Sequence, residues 1–170
     1  MAERVVKKQL QAGMLKAGVT NNGKVDMSVV VHQSIDSTNS WSLQQCRMGK
    51  QLPFVCFAEE QTQGRGRRGK YWHMPPYSNV AMSIVWPFAL ALQSLHLLPL
   101  CVALAIVETL EGFNLRQVQI KWPNDVYVRG KKIAGILIET QSLKNGPKAE
   151  RHVAAVIGVG VNYDMSALHN

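Results

Sequence analysis

The chain has 170 residues, of which 46% are hydrophobic, 18% charged and 7% aromatic. That composition supports a packed core in one domain and excludes a disordered chain, a collagen, a coiled coil or a small disulfide scaffold. Nineteen Lys and Arg against eleven Asp and Glu give a net charge of +8, which attracts nucleic acid, acidic partners or phosphorylated small molecules. The charge is local: Arg65, Arg67, Arg68 and Lys70 fall within six residues, and no acidic residue occurs from Gln61 to Val107. A local excess suits a site better than a general coat.

In chain order, residues 1–27 are polar and broken by Gly13, Gly18 and Gly23. They read as a short extension before a domain that occupies 28–170. Ser28–His32 is β-branched and strand-like. Ser37 or Thr38 can cap a helix running to about Met48 and ending near Gly49. Phe54–Glu59 reads as a strand, and Gln61–Tyr77 as a long loop rich in Gly, Arg and Pro, of the kind that often carries function. Val80–Trp86 is a further strand. A helix follows over about Ser94–Gly112, with Pro99 at its start or at a kink. Strands over Val118–Trp122, Val126–Val128, Lys131–Thr140 and His152–Val161 are separated by turn residues at Pro123-Asn124-Asp125, Arg129-Gly130 and Lys144-Asn145-Gly146-Pro147. Tight turns between successive strands imply antiparallel pairing. The predicted class is α+β: a mixed, largely antiparallel sheet with helices on one face.

Cys46, Cys56 and Cys101 are odd in number and contain no Cys-x-x-Cys, which argues against a structural zinc site or a redox pair. The apolar neighbours of Cys56 predict a buried, reduced thiol. The polar start, Met1–Gly18, lacks a signal-peptide apolar run, so a cytoplasmic protein is expected. Tyr71–Val107 has no charged residue, but Pro87, Gln93, Ser94, His96 and Pro99 interrupt it. No run reaches the ~20 apolar residues of a membrane span.

Four clusters can carry chemistry. Gly64-Arg65-Gly66-Arg67-Arg68-Gly69 matches G-x-G-x-x-G, yet Lys70–Pro76 is a poor helix and the next acidic residue is Glu108, so the dinucleotide-binding context fails. What remains is a glycine loop loaded with guanidinium groups, suited to phosphate or carboxylate; a solvated basic loop or an RNA-binding segment reads the same way. Lys121-Trp122-Pro123-Asn124-Asp125 is followed by Lys132-Ile133-Ala134-Gly135. If Arg129-Gly130 is a two-residue hairpin turn, Asp125, Tyr127 and Lys132 share one face and Val126, Val128 and Ile133 the other. That places a carboxylate and an ammonium on one surface, for chemistry or as an ordinary cross-strand pair. Gly158 and Gly160 lie on one face of an apolar strand, which signals close approach by a ligand or another backbone. Ser37-Thr38-Asn39 serves as a helix cap or as donors and acceptors for a small polar ring.

Together and in this order, these pieces resemble the catalytic domain of biotin protein ligases, a class II synthetase-like fold shared with lipoate ligases. The matching residues are Ser37-Thr38-Asn39, Gln61 with Gly64–Gly69, Trp72, Lys121–Asp125, Lys132–Gly135 and Gly158–Asn162, across about Val29–Asp164. The resemblance implies a two-step reaction. The biotin carboxylate attacks the α-phosphate of ATP, giving biotinyl-5′-AMP, and a lysine of a biotin carboxyl carrier protein of acetyl-CoA carboxylase then displaces AMP. Lipoate or octanoate ligation is the alternative, as is a biotin-binding fragment without full ligase activity.

By the same resemblance Lys132, Arg67, Asp125 and Lys121 are catalytic. Ser37, Thr38, Asn39, Gln61, Gly64, Arg65, Gly66, Arg67, Lys132, Gly135, Gly158 and Gly160 bind biotin. Arg65, Arg67, Arg68, Trp72, Lys121, Asn124, Lys132 and Asn162 bind ATP or the adenylate. Mg²⁺ accompanies the nucleotide, with Asp125 positioning Lys132, the metal or the incoming lysine. Tyr77 stands where the family has glycine. The further helix and small C-terminal β-barrel that usually follow are expected to be absent after Asn170, and residues 1–27 to be too short for a winged helix. No DNA or membrane partner is expected, and a homodimer is one oligomeric option.

Overall fold

The computed structural model describes residues 27–76, 78–89, 95–143 and 152–163. The N-terminal extension up to residue 26, Tyr77, the helix start at Ser94 and the turn at Lys144–Pro147 lie outside the described residues.

Strands β1 (Ser28–Ile35) and β2 (Phe54–Gln61) run parallel. A parallel pair needs a crossover, and helix α1 (Thr38–Arg47) supplies it. Ser37 caps α1 by accepting from the Ser40 N–H at 3.4 Å, and Gly49, at φ +80°, takes the left-handed conformation that lets the chain turn away. Strand β3 (Asn79–Phe88) pairs antiparallel with β2. Helix α2 (Leu98–Gly112) carries Pro99 in its first turn, where a missing N–H costs nothing. Strands β4 (Val118–Lys121), β5 (Asp125–Val128), β6 (Lys131–Ser142) and β7 (Val153–Asn162) complete one seven-stranded sheet in the order β1-β2-β3-β7-β6-β5-β4. Every neighbouring pair except β1–β2 is antiparallel. The expected mixed sheet is therefore present.

The expectation that fails is the placement of the helices. Successive residues of a strand face opposite sides, and β7 is buried continuously from Val153 to Val159. Ala154 and Val156 pack with Cys46 of α1 and with Phe54. Ala155, Ile157 and Val159 pack with Val102 and Ile106 of α2. The two helices thus cover opposite faces. An apolar run without polar alternation marks a strand buried on both sides, and Val153–Val159 is such a run. The side chains of Phe54, Val85, Val126, Val153 and Val156 are fully buried, each worth about 1.5–3 kcal/mol relative to exposure.

Candidate active site

On the α1 face the side chains of β7 shrink to glycine, and polar groups gather above the gap. The Thr38 N–H and hydroxyl both donate to Gln61 Oε1, at 2.7 and 3.0 Å. Ser83, fully buried on β3, donates to Asn39 Oδ1 at 2.6 Å and stands 2.8 Å from Thr38 Oγ1. Asn39 Nδ2 donates to the Leu137 carbonyl at 3.1 Å and to Glu139 Oε2 at 3.0 Å. Both amide atoms of Asn39 are thereby engaged. A Cβ at Gly158 would fall 2.3 Å from Asn39 Oδ1, so Gly158 is required for the amide to lie on the sheet.

Next to this polar end stands an ion pair. Arg129 and Gly130, at φ 49° and 76°, form the two-residue turn predicted between β5 and β6. The register runs Val128↔Lys131 and Tyr127↔Lys132, then shifts to Val126↔Ala134 and Asp125↔Gly135. Ile133 is the extra residue of a β-bulge. Lys132 and Gly135, three apart, consequently share the site face, while Ile133 and Ala134 join the core under α2. Lys132 Nζ lies 2.7 Å from Asp125 Oδ1. A Cβ at Gly135 would come within 3.2 Å of that ammonium.

The glycine-arginine loop crosses above. It is no helix: Arg67–Gly69 makes a single 3₁₀ turn with Arg68 at φ 57°, which disposes of the dinucleotide fingerprint. Trp72 N donates to Gly64 O at 2.8 Å and Gly66 N to Lys70 O at 2.7 Å. A Cβ at Gly64 would collide with the Trp72 carbonyl at 2.3 Å. Arg65 reaches Glu139 at 2.6 Å. Arg67 donates to Asn124 Oδ1 at 2.7 Å, and Asn124 Nδ2 donates to Ile136 O. The Trp72 indole lies on Gly135 and Gly160, with Lys132 Nζ 5.2 Å from its ring. Its buried Nε1 has no hydrogen-bond partner.

The half-open space here is about 60 Å³, far below the 300–1,000 Å³ usual for small-molecule pockets, with the Trp72 indole packed on Gly135 and Gly160 within it. Its walls include Ser37, Thr38, Asn39 and Gln61 at the polar end, Arg65, Gly66, Arg67 and Trp72 from the loop, and Asn124, Lys132, Gly135, Gly158 and Gly160 from the sheet. A neighbouring groove of about 460 Å³ shares Arg67, Trp72, Asn124 and Lys132 and adds Arg68, Lys70, Tyr71 and Trp122.

Some expected residues stand back. Lys121 points over the Tyr127 ring at 5.3 Å and lines neither space. Asn162 accepts from Asn79 at 2.6 Å and donates to the Lys132 carbonyl at 3.3 Å, bracing the strand that carries Lys132. Sequence reasoning missed Ser83, Asn79 and Glu139. Ser83 was detectable only as a single polar residue interrupting an apolar strand, and Glu139 only as the charged residue at which the apolar run of β6 ends.

A model of the biotin/lipoate A/B protein ligase family matches residues 31–162. The chain belongs to that family. Among curated members it is 37% identical over 139 residues to the bifunctional ligase/repressor BirA of Escherichia coli, covering 81% of this chain and 41% of that protein. It is also 37% identical over 130 residues to the biotin–[acetyl-CoA-carboxylase] ligase of Paracoccus denitrificans, covering 75% of this chain and 51% of that one. Among solved family structures, the biotin protein ligase of Aquifex aeolicus with biotin and ATP superposes with TM-score 0.60 at 28% identity, over 81% of this chain and 53% of that one. The Leishmania major enzyme with biotinyl-5-AMP gives TM-score 0.59 at 27% identity, over 79% and 56%. The chain therefore spans about half the length, or less, of these relatives. The expected family resemblance and mixed-sheet fold both stand, apart from the placement of the helices.

Proposed function

We propose that this chain forms biotinyl-5′-AMP from biotin and ATP and presents it to an acceptor lysine on a biotin carboxyl carrier protein. One observation carries the reading: Lys132, Arg65 and Arg67 converge on a small cavity closed at one end by neutral hydrogen-bonding groups. Attack of a carboxylate on the α-phosphate, and later attack of an amine on the mixed anhydride, both build negative charge on oxygen. Cations fixed beside those oxygens stabilise both transition states. In this reading Thr38, Asn39 and Gln61 face the ureido ring. Lys132, oriented by Asp125, contacts the carboxylate and the α-phosphate, and the adjoining groove with Arg67, Arg68 and Lys70 takes the phosphates.

Admission of a bicyclic ligand requires the indole to leave Gly135 and Gly160. The loop then closes over the ligand and excludes water from the anhydride. Among the described residues no group of three or more His, Cys, Asp or Glu could hold a metal. Asp125, already engaged by Lys132, offers a single carboxylate. Such a site fits Mg²⁺ only as an ion carried mainly by nucleotide phosphates and water. No helix among the described residues is long and apolar enough to cross a membrane, and we place the reaction in the cytoplasm.

The test is mass spectrometry of the purified chain with ATP, Mg²⁺ and either biotin or lipoate. Biotinyl-AMP that disappears in Lys132→Ala is expected. Lipoyl-AMP would move the chain to the lipoate branch of the family. A folded chain that makes neither overturns adenylate formation as its activity. Binding driven by the +8 charge alone would instead be to nucleic acid, steeply salt-dependent and indifferent to biotin.

A further inference from the structure

The glycine-arginine loop closes on itself through backbone hydrogen bonds, but those bonds do not fasten it to the sheet. Its root is held to the end of β1, where Thr62 and Gln63 donate to the Ile35 and Asp36 carbonyls. Beyond that and the packing of Trp72, two arginine side chains tether the loop among the described residues. Arg67 reaches Asn124 in the β4–β5 turn at 2.7 Å, and Arg65 reaches Glu139 on β6 at 2.6 Å. The second is the charged one. Glu139 pairs across the sheet with buried Val156, so its stem is anchored. Its Oε2 takes both Arg65 Nη2 and Asn39 Nδ2.

An uncompensated carboxylate beside a cavity lined by Arg65, Arg67 and Lys132 would repel an anionic ligand. Held by Arg65, it does not. We propose that Glu139 is a positioning residue: a fixed counter-charge that clasps the loop through Arg65. Through its shared oxygen it joins loop closure to the Asn39 amide at the polar end of the cavity. The clasp requires no ligand. Its consequence for holding an adenylate rests on the function proposed above.

Arg65, Arg67, Arg68 and Lys70 make the loop its own reporter, because trypsin cuts after each of them. When opening is fast relative to cleavage, the nicking rate follows the open population. Glu139→Gln keeps an acceptor for Asn39 but removes the charge. In the full chain it should raise loop nicking about fivefold, the upper range for a partly exposed pair, with the thermal midpoint unchanged. High salt should bring the parent toward the variant's rate and leave the variant where it is. Arg65→Gln should raise nicking at the remaining sites equally, and the double variant should add nothing further. Nicking at the parent's rate in a folded Glu139→Gln, or additive single effects, overturns the clasp. None of these readouts uses biotin or ATP, so a failure of the proposed function leaves them intact. Where the adenylate forms, Glu139→Gln should release it faster by a similar factor. An unchanged release rate alongside faster nicking overturns the link to the ligand.

Discussion

A methyl group added at Gly158 would stand 2.3 Å from Asn39 Oδ1 and 2.8 Å from its Cγ, so Gly158→Ala must displace the amide or the strand. Overpacking of this kind costs about 1–3 kcal/mol. A lower thermal midpoint should therefore accompany weaker biotin binding by calorimetry; loss of stability with intact binding would remove Asn39 from the recognition end. At Lys132 the expectation concerns rate. Lys132→Ala should slow pyrophosphate release in a single turnover by roughly 10²–10³, the usual cost of one stabilising group at a developing oxyanion.

The cysteines give a pH prediction. Burial pushes the Cys56 thiol up to about 12 and raises Cys46 in the same direction, so both stay protonated in the folded state. In the unfolded chain the thiols ionise near 9.0. Above that pH the unfolded state binds fewer protons than the folded one, and stability falls as pH climbs from 9 toward 12. Urea denaturation at pH 8 and pH 10.5 should show a larger loss for the parent than for Cys56→Ala. Cys101, exposed on α2, should be the thiol that reacts with a disulfide reagent before unfolding.

Among the elements, the β5–β6 hairpin shows both what was legible and what was not. Arg129-Gly130 sits between two runs of alternating pattern, and the turn followed from that spacing. The turn needs two positive φ values, which glycine supplies freely and arginine does not. Arg129→Asn should therefore raise stability by up to about 1 kcal/mol in urea denaturation. The bulge at Ile133 left no such mark. Simple alternation after the turn puts Lys132 and Gly135 on opposite faces, and only the inserted residue brings them together while keeping Ile133 and Ala134 in the core. Helix α1 was readable from its cap and from Gly49. Its face was not, because the burial of β7 on both sides depends on which strands flank it, and strand order is not written in local sequence. Ser83 and Glu139 escaped for the same reason: each matters through partners 44 and 100 residues away.

For the whole molecule, the strand order brings distant parts of the chain onto one small surface. Thr38 meets Gln61, Asn39 meets Glu139, and Asn79 meets Asn162, at separations of 23, 100 and 83 residues. Five cations, Arg65, Arg67, Arg68, Lys70 and Lys132, line the cavity and the adjoining groove on the same surface. The two edges, β1 and β4, fall at the ends of this sheet, far from its centre.

That centre is β7, the last of the described strands in sequence and the middle one in space, hydrogen-bonded to β3 on one side and β6 on the other. During synthesis β1 to β3 and then β4 to β6 leave the ribosome ahead of residues 153–162. Until then each half-sheet exposes one unpaired inner edge and the face its own helix does not cover, the features that recruit chaperones or seed aggregation. Insertion of β7 zips both edges at once, so joining the halves, burying the core and creating the glycine floor become a single late event. That insertion sets the polar end built on α1, β2 and β3 beside the Lys132–Asp125 pair of β5 and β6, with Gly158 and Gly160 between them.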